Sequence, residues 1–280
     1  MIFKEINSQN VGEIAQHILN LHNLCDYTIG TLYMWRDYYK FLYAIEDDLL
    51  FIYSKNENSY FPCLDENKQK HLQMLRQHVK GDITFSPIAS DMQFYFDLGQ
   101  ATKHDNWADY LYNIEDLTNL AGKKYHAKRN FIAKFKSLYN WQFINVEQTD
   151  IKQIEIFLRK LESGQSSSLS QYEIETTLDC IDNWNKLNQI GGVLFADKQI
   201  VGLALGEGNG QTLFEHTERA DKSFSGVCEM LLHSFVTTFG QNYKYLNREE
   251  DMGLDGLRQS KQSYHPTALL DKFIIKISND

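Results

Sequence analysis

The order of strand and helix patterns in the second half of the chain restricts its fold more than any other feature of the sequence. Runs of alternating or β-branched apolar residues predict strands at residues 141–146, 192–196, 199–205, 213–219, 243–247 and 269–277. Apolar residues at helical spacing predict helices that start near Asp150, after Gly226 and near Leu254. The resulting order, β-α-(α)-β-β-β-α-β-α-β, combines an antiparallel meander with a crossover into a neighbouring strand, which predicts a mixed α/β (α+β) fold.

The first half of the chain repeats this architecture without a visible repeat of sequence. Strands are predicted at residues 2–6, 41–45, 49–54, 60–64, 83–86 and 107–112, and helices within 8–36, 67–79 and 90–98. Asp47-Asp48 and Asp197-Lys198 are predicted hairpin turns. The polar residues 163–168 are a predicted exposed loop between two helices. Because 280 residues exceed one typical domain, we expect two closely packed domains with mixed sheets, at 1–139 and 140–280.

Charge, hydropathy and cysteine spacing exclude several classes of protein. The net charge of −9 argues against general nucleic-acid binding, because a phosphate backbone requires a dominant basic surface. No apolar run approaches the roughly 20 residues that span a bilayer, so we expect no membrane span and a cytoplasmic location. The cysteines lie far apart, with no CxxC pair and no histidine at zinc-ligand spacing, so we expect reduced, mostly buried thiols and no metal site.

The segment from residue 122 to residue 136 reverses the acidic charge of the chain. It contains six Lys or Arg residues and no acidic residue, which suits a tRNA, a nucleotide or another anionic ligand such as a lipid head group. Lys124 and Lys128 share an arc with the apolar stripe of the predicted helix, so we expect them to point towards an interface or cleft. Alternatively, these lysines cover a domain boundary with their ammonium groups in water. The candidate ligand-binding residues are Lys124, Tyr125, Lys128, Arg129 and Asn130.

A second cluster of charges follows the predicted strand 243–247, where a strand leads into a helix. Open α/β folds commonly bind ligands at such points. Arg258 and Lys261 share one helical face, and Arg248 can join them through space. Alternatively, Arg248 pairs with nearby acids, and these acids cap the helix. The candidate substrate-binding residues here are Asn247, Arg248, Arg258, Lys261 and Tyr264.

A third candidate region is the strand 213–219 with the turn that follows it. Glu215, His216 and Glu249 are candidates to accept a proton from an attacking amine. Glu215 and His216 alternate along a strand, so only one of them can face a cleft, and a structurally satisfied histidine is the alternative. The next helix begins with free backbone N–H groups that can hold a pyrophosphate. The candidate cofactor-binding residues there are Arg219, Ser225 and Gly226.

Taken together, these segments resemble the phosphatidylglycerol lysyltransferase C-terminal family, in particular its short soluble bacterial members. The residues that carry the resemblance are Gly122-Lys123-Lys124-Tyr125, Lys128-Arg129-Asn130, Arg219-Ala220-Asp221, residues 247–253, Gly256-Leu257-Arg258, Lys261, Ser263, Tyr264 and Pro266. The resemblance spans most of the chain. It implies two tandem GNAT-like acyltransferase domains, similar to lysyltransferases and to Fem-type transferases, which take an aminoacyl group from tRNA.

The sequence departs from GNAT enzymes in the loop that binds acetyl-CoA. That loop has the pattern Arg/Gln-x-x-Gly-x-Gly/Ala, and this chain has residues 219–224 at the matching place. Lys222 and Phe224 replace the glycines that let the backbone approach a pyrophosphate. The corresponding residues 61–66 of the first domain contain no glycine, so we expect this domain to be degenerate.

We therefore expect an acyl or aminoacyl transferase that acts on an amine or hydroxyl acceptor. Its donor is an aminoacyl-tRNA or an acyl-CoA, and the sequence indicates no other cofactor. The alternative is a binding or regulatory protein that keeps the transferase scaffold without its chemistry, which the missing loop glycines favour. A CoA-dependent N-acetyltransferase is less favoured, because neither half shows a phosphate-binding loop.

Overall fold

The computed structural model describes residues 1–20, 22–162 and 168–278. Its strands are β1 (Lys4–Glu5), β2 (Phe41–Glu46), β3 (Leu49–Ser54), β4 (Ser59–Tyr60), β5 (Ile83–Ala89), β6 (Gln100–Lys103), β7 (Asp109–Asn113), β8 (Trp141–Asn145), β9 (Ile190–Ala196), β10 (Gln199–Asn209), β11 (Thr212–Ala220), β12 (Tyr245–Asn247), β13 (Ala268–Leu270) and β14 (Lys272–Ile277). Its α-helices are α1 (Val11–Ile18), α2 (Ile29–Met34), α3 (Arg36–Tyr39), α4 (Lys68–His78), α5 (Gln93–Phe96), α6 (Ile114–Asn119), α7 (His126–Leu138), α8 (Ile151–Glu162), α9 (Ser168–Asp182), α10 (Trp184–Leu187), α11 (Val227–Phe239) and α12 (Asp255–Gln262).

These strands form two mixed sheets, which confirms the predicted fold class. The first sheet has the order β1-β2-β3-β4-β5-β14-β6, and the second has the order β13-β7-β12-β11-β10-β9-β8. In each sheet one neighbouring pair is parallel, β4 with β5 and β11 with β12, and the other pairs are antiparallel. Helices such as α7 and α11 pack against each other and cover the second sheet with apolar side chains.

Two segments cross between the halves of the chain. Strand β7 precedes residue 139 but pairs with β12 in the second sheet, and β14 ends the chain but pairs with β5 in the first. The prediction of one strand over 269–277 is wrong, because this run is β13 in the second sheet and β14 in the first. Alternation of apolar residues specifies a strand but not its neighbours, so the sequence contains no sign of the change of sheet. Division into domains at residue 139 stays a prediction.

Local turn chemistry agrees with the predicted hairpins. Asp47 and Asp48 have φ values of 53° and 63°, and Asp197 and Lys198 have values of 50° and 66°. Positive φ at both central residues is the geometry of the tight turns that match the twist of a hairpin. Residues 163–167 of the predicted polar loop lie outside the described residues, and the helices that flank them are α8 and α9.

Candidate functional site

The parallel pairing of β11 and β12 places Arg248 against Glu215. Phe214 is opposite Asn247 in this register, so the residue after β12 lies beside Glu215. The Nε atom of Arg248 donates to Oε2 of Glu215 at 2.6 Å, and its Nη2 atom donates to Glu218. Because a guanidinium has its donors in a fixed fork, this contact sets the orientation of the whole group.

Two more side chains from distant segments complete this site. Tyr264, after α12, is buried, and its ring lies beneath the guanidinium of Arg248 and the ammonium of Lys128. Lys128 lies on α7 and pairs with Glu229 of α11 at 3.4 Å. We call the group of Lys128, Glu215, Glu218, Glu229, Arg248 and Tyr264 the Arg248 site. Its floor is buried, and Lys128, Glu218 and Glu229 are its partly exposed rim.

Burial shifts the pKa values of two charged groups in the Arg248 site, Glu215 and Lys128. Burial raises the pKa of Glu215 to about 7 against the opposing effect of Arg248, and Glu218 adds to the increase. Burial also lowers the pKa of Lys128, although Glu229 opposes this shift. Among the described residues, neither Oε1 of Glu215 nor Nη1 of Arg248 has a hydrogen-bond partner, and both atoms are buried. The site therefore offers one acceptor and one donor that the protein itself does not use.

His216 points away from Glu215 and forms a separate buried pair. Its Nδ1 atom lies 2.7 Å from Oε1 of Glu249, and its Nε2 atom lies 3.7 Å from Glu207. Burial opposes protonation of the ring, but Glu207 and Glu249 outweigh it and raise the pKa of His216 to about 10. Glu207 also accepts hydrogen bonds from the backbone N–H groups of Ile29 and Gly30. His216 is therefore an imidazolium at neutral pH, which cannot accept another proton.

The remaining candidates near β12 hold the loop that carries Arg248. The ammonium of Lys261 is buried and donates to the backbone carbonyls of Arg248 and Glu250. Asn247 is buried, and its Nδ2 atom donates to Asp109 at 2.8 Å. Arg258 pairs with Asp251 at 2.9 Å and lies apart from the Arg248 site at the surface. These groups already have protein partners that fix the backbone.

The cations of the basic segment, residues 122–136, include exposed side chains and side chains that bond to the backbone. Lys124 is exposed and pairs with Asp116 at 3.3 Å, so the expectation that it points into a cleft is wrong. It precedes α7, in the short helix Lys123–Tyr125, and α-helical spacing therefore does not apply to it. Arg129 donates to the carbonyls of Leu120 and Gly122, which joins α7 to the preceding turn.

Two other residues of this segment differ in burial. Tyr125 is buried and donates its hydroxyl proton to the carbonyl of Tyr264 at 3.1 Å, which joins the short helix before α7 to the Arg248 site. Asn130 is exposed, and its Nδ2 atom lies 3.4 Å from His126. Tyr125 therefore supports the Arg248 site, whereas Asn130 faces solvent.

The predicted pyrophosphate site at the start of α11 lies against α7. Gly226 has a φ of 81°, and a Cβ atom there would lie 2.3 Å from the carbonyl oxygen of Phe131. The N–H of Ser225 donates to the hydroxyl of Tyr139 at 3.3 Å. Arg219 pairs with Glu173 of α9. The backbone of α7 therefore packs closely against the Cβ side of Gly226, and pyrophosphate binding at this helix start stays a prediction.

Several charged residues that lie buried or partly buried were not predicted from the sequence. Lys272 begins β14, and its ammonium lies 2.6 Å from Asp26 and 2.7 Å from Asp109. Glu207 lies within β10 beside His216, and Glu218 completes the Arg248 site. Their common signal is a charge inside or directly beside a strand pattern. Such a charge is buried with a partner more often than it is buried alone.

A polar groove of about 600 Å³ lies between the two sheets and does not contain the candidate residues. It is lined by Asn20, His22, Asn23, Ala89, Ser90, Asp91, Asn209, Gly210, Gln211, Tyr245, Leu270 and Asp271. Cys25, Cys63 and Cys180 are buried, as expected. Within the described parts of the chain, every helix is too short or too polar to cross a membrane.

Comparisons of sequence relate the chain to known proteins. The model of the family "Phosphatidylglycerol lysyltransferase, C-terminal" matches residues 19–276. An uncharacterized protein of Mycoplasmoides gallisepticum is 25% identical over 182 residues, which cover 62% of this chain and 58% of the relative. The chain therefore matches less than two thirds of the length of that relative.

Comparisons of structure relate the fold to three solved proteins. A conserved protein of unknown function from Bacteroides thetaiotaomicron has a TM-score of 0.89 and 27% identity, and the match covers 99% of this chain and 100% of that one. L-PGS from Bacillus licheniformis has a TM-score of 0.71 and 14% identity, with 100% and 95% coverage. A tandem GNAT protein from the clavulanic acid biosynthesis pathway has a TM-score of 0.51 and 8% identity, with 100% and 98% coverage. The fold is thus the tandem GNAT-like arrangement expected from the sequence.

Proposed function

The chain belongs to the phosphatidylglycerol lysyltransferase C-terminal family, and from this premise we propose that it transfers an acyl or aminoacyl group to an amine or hydroxyl acceptor. The observation that carries the proposal is the pair of unused buried atoms in the Arg248 site, Oε1 of Glu215 and Nη1 of Arg248. Attack on an ester produces a proton to be accepted and a negative oxygen to be stabilised. One unused acceptor beside one unused donor meets both needs.

In the proposed reaction, Glu215 is the general base. The acceptor nitrogen or oxygen bonds to the acyl carbon and gives its proton to Glu215, whose pKa of about 7 suits this task near neutral pH. Nη1 of Arg248 donates to the carbonyl oxygen as it gains charge. The bond from the acyl carbon to the donor oxygen then breaks, and the proton passes from Glu215 to that oxygen. Atoms and charge balance without another reactant.

We propose an aminoacyl-tRNA as the donor, bound partly by the basic segment. Lys123, Lys134 and Lys136 are exposed in this segment, while Lys128 lies at the rim of the Arg248 site on the same helix as Lys134. Phosphates bound by these exposed lysines would lead towards the rim, where Lys128 can contact the last phosphate or the terminal sugar. An acyl-CoA donor is disfavoured, because Lys222 and Phe224 replace the glycines of the CoA loop.

The test is transfer of a labelled amino acid from aminoacyl-tRNA to a pool of amines and alcohols. We expect a labelled product with wild-type protein and at least 10²-fold less with Glu215→Gln. We also expect binding of uncharged tRNA that weakens steeply with salt and weakens further in Lys134→Gln. If neither charged nor uncharged tRNA binds in a salt-sensitive way, the aminoacyl-tRNA donor is refuted.

The second candidate is a binding or regulatory protein on the same scaffold. It is favoured by the pairing of Arg248 with Glu215 and Glu218 and of Lys128 with Glu229, since paired cations hold the site closed. Such a protein would bind tRNA with the same affinity before and after Glu215→Gln and would form no labelled product from any donor. Activity of the wild-type protein that Glu215→Gln abolishes would reject this alternative.

A further inference from the structure

The ammonium of Lys272 is buried between the two sheets and surrounded by acids. Its Nζ atom lies 2.6 Å from Asp26, 2.7 Å from Asp109 and 3.5 Å from Glu250, and only 2% of the side chain is exposed. Lys272 begins the last strand of the first sheet, whereas Asp109 begins β7 of the second. A buried charge requires partners, so this contact links β14 of the first sheet to β7 of the second.

Asp109 connects Lys272 to Asn247, the last residue of β12. Its Oδ2 atom accepts from the backbone N–H of Cys25 and from Nδ2 of Asn247, each at 2.8 Å. The Oδ1 atom of the same Asn247 amide accepts from the backbone N–H of Glu249 at 2.7 Å. This bond closes a tight turn in which Glu249 has a φ of 58°, a conformation that a residue other than glycine adopts only when its surroundings require it.

The turn determines where two charged side chains point. Arg248 projects to Glu215 on one side, and Glu249 projects to His216 on the other. The carboxylate of Glu250 contacts the Lys272 ammonium directly at one end of the turn. At the other end, Asn247 binds Asp109, which contacts the same ammonium. Loss of the ammonium would leave the buried Asp109 and two partly exposed carboxylates that repel one another, and would release both ends.

We propose that Lys272 is a positioning residue, which holds Arg248 and Glu249 in place from the opposite sheet. The inference rests on the proposed transferase function, because it gives Lys272 a role in presenting Nη1 of Arg248 to the reacting oxygen. Lys272 touches no substrate in this role. The first sheet, whose own domain lacks the CoA loop, thereby contributes to the reaction through one side chain of its last strand.

The test compares Lys272→Met with Lys276→Met. Lys276 lies on the same strand and pairs with Asp82 at 2.9 Å, but 65% of its side chain is exposed. In Lys272→Met we expect kcat to fall at least 10-fold with KM for aminoacyl-tRNA changed less than twofold, since α7 is untouched. We also expect the titration midpoint of the His216 ring, followed by nitrogen NMR, to fall by at least one pH unit as Glu249 moves away. Lys276→Met should leave all three values unchanged.

A purely structural role predicts a different pattern. If Lys272→Met lowers only the Tm and leaves kcat and the His216 midpoint unchanged, the inference is overturned. If Lys272→Met does not fold, Glu250→Gln replaces it, because that change removes one contact with Lys272 and leaves Asp109 in place. An unchanged His216 midpoint in folded Glu250→Gln would overturn the inference equally. If wild-type protein transfers nothing, the proposed function fails, and the NMR measurement still decides whether Lys272 positions the turn.

Discussion

Lys128 and Arg248 lie over the same aromatic ring, that of Tyr264. The Nζ atom of Lys128 is 3.8 Å from the ring centroid, and the Cζ atom of Arg248 is 5.4 Å from it. The negative face of the ring attracts both cations and holds them side by side without neutralising either. Both cations also have carboxylate partners, Glu229 for Lys128 and Glu215 and Glu218 for Arg248. Within the described part of the chain, they are the two predicted cations that share one ring.

The pKa of Glu215 leads to the first prediction. If Glu215 accepts the proton, kcat/KM should rise with pH as its carboxyl loses a proton near pH 7, and Glu215→Gln should lower kcat by 10² to 10⁴-fold. The measurement is a pH profile of transfer from aminoacyl-tRNA. Glu155→Gln is the matched control, because Glu155 forms an exposed pair with Arg159 far from the site. An unchanged rising limb in Glu215→Gln would assign the base to another group.

The His216 pair predicts how stability depends on alkaline pH. The pKa of His216 is about 10 in the fold and ~6.5 in an unfolded chain, so its charge stabilises the fold fully below pH 6.5. That contribution is lost as pH rises from 6.5 through 10. We expect the free energy of unfolding of wild-type protein to fall by about 3 kcal/mol more than that of His216→Gln between pH 7 and pH 10. Urea titrations at both pH values measure this difference, and parallel losses in the two proteins would contradict it.

His71 predicts the opposite dependence, on the acidic side. Its ring is buried against Phe51, and neither nitrogen has a hydrogen-bond partner within the described residues. Burial lowers the pKa of His71 to about 4, so the neutral ring stabilises the fold above pH 6.5 and this contribution is lost as pH falls towards 4.

His71→Leu removes this titration and the unpaired nitrogens together. We expect it to stabilise the protein, with a gain about 2 kcal/mol larger at pH 5 than at pH 7. Urea unfolding at both pH values measures it, with the exposed His126→Leu as the control. A gain that is the same at both pH values would mean that His71 already titrates normally in the fold.

Local patterns in the sequence predict the elements of this fold well and their partners poorly. Helix α7 and the hairpin of β9 and β10 follow from spacing and turn residues, which act within a few positions. The place of β14 in the first sheet depends on its pairing with β5 and β6, which are distant in sequence. No pattern within residues 269–277 indicates these partners.

In the candidate site, too, the residues were easier to predict from the sequence than their contacts. The sequence predicts Glu215, Arg248 and Tyr264 as site residues, and the structure brings them together. It also predicts Lys261, from a helical face shared with Arg258, but backbone carbonyls accept the hydrogen bonds of the Lys261 ammonium. A sequence shows that a cation is present near a turn. It does not show whether backbone carbonyls of the turn accept the hydrogen bonds of that cation.

The last prediction concerns the contact between α7 and α11. Gly226 has a φ of 81°, and a Cβ atom there would lie 2.3 Å from the backbone carbonyl of Phe131, which cannot rotate away as a side chain would. Gly226→Ala should therefore lower the free energy of unfolding by at least about 2 kcal/mol through backbone strain and displacement of α7. Gly12→Ala is the control: Gly12 lies in α1 with nothing within 4 Å of its Cβ position, so alanine there should stabilise by about 0.5 kcal/mol. Because α7 also carries Lys128, Gly226→Ala should weaken tRNA-dependent transfer more than its stability loss accounts for at a temperature where it is folded. Normal transfer by folded Gly226→Ala would show that the position of α7 does not set the rim of the Arg248 site.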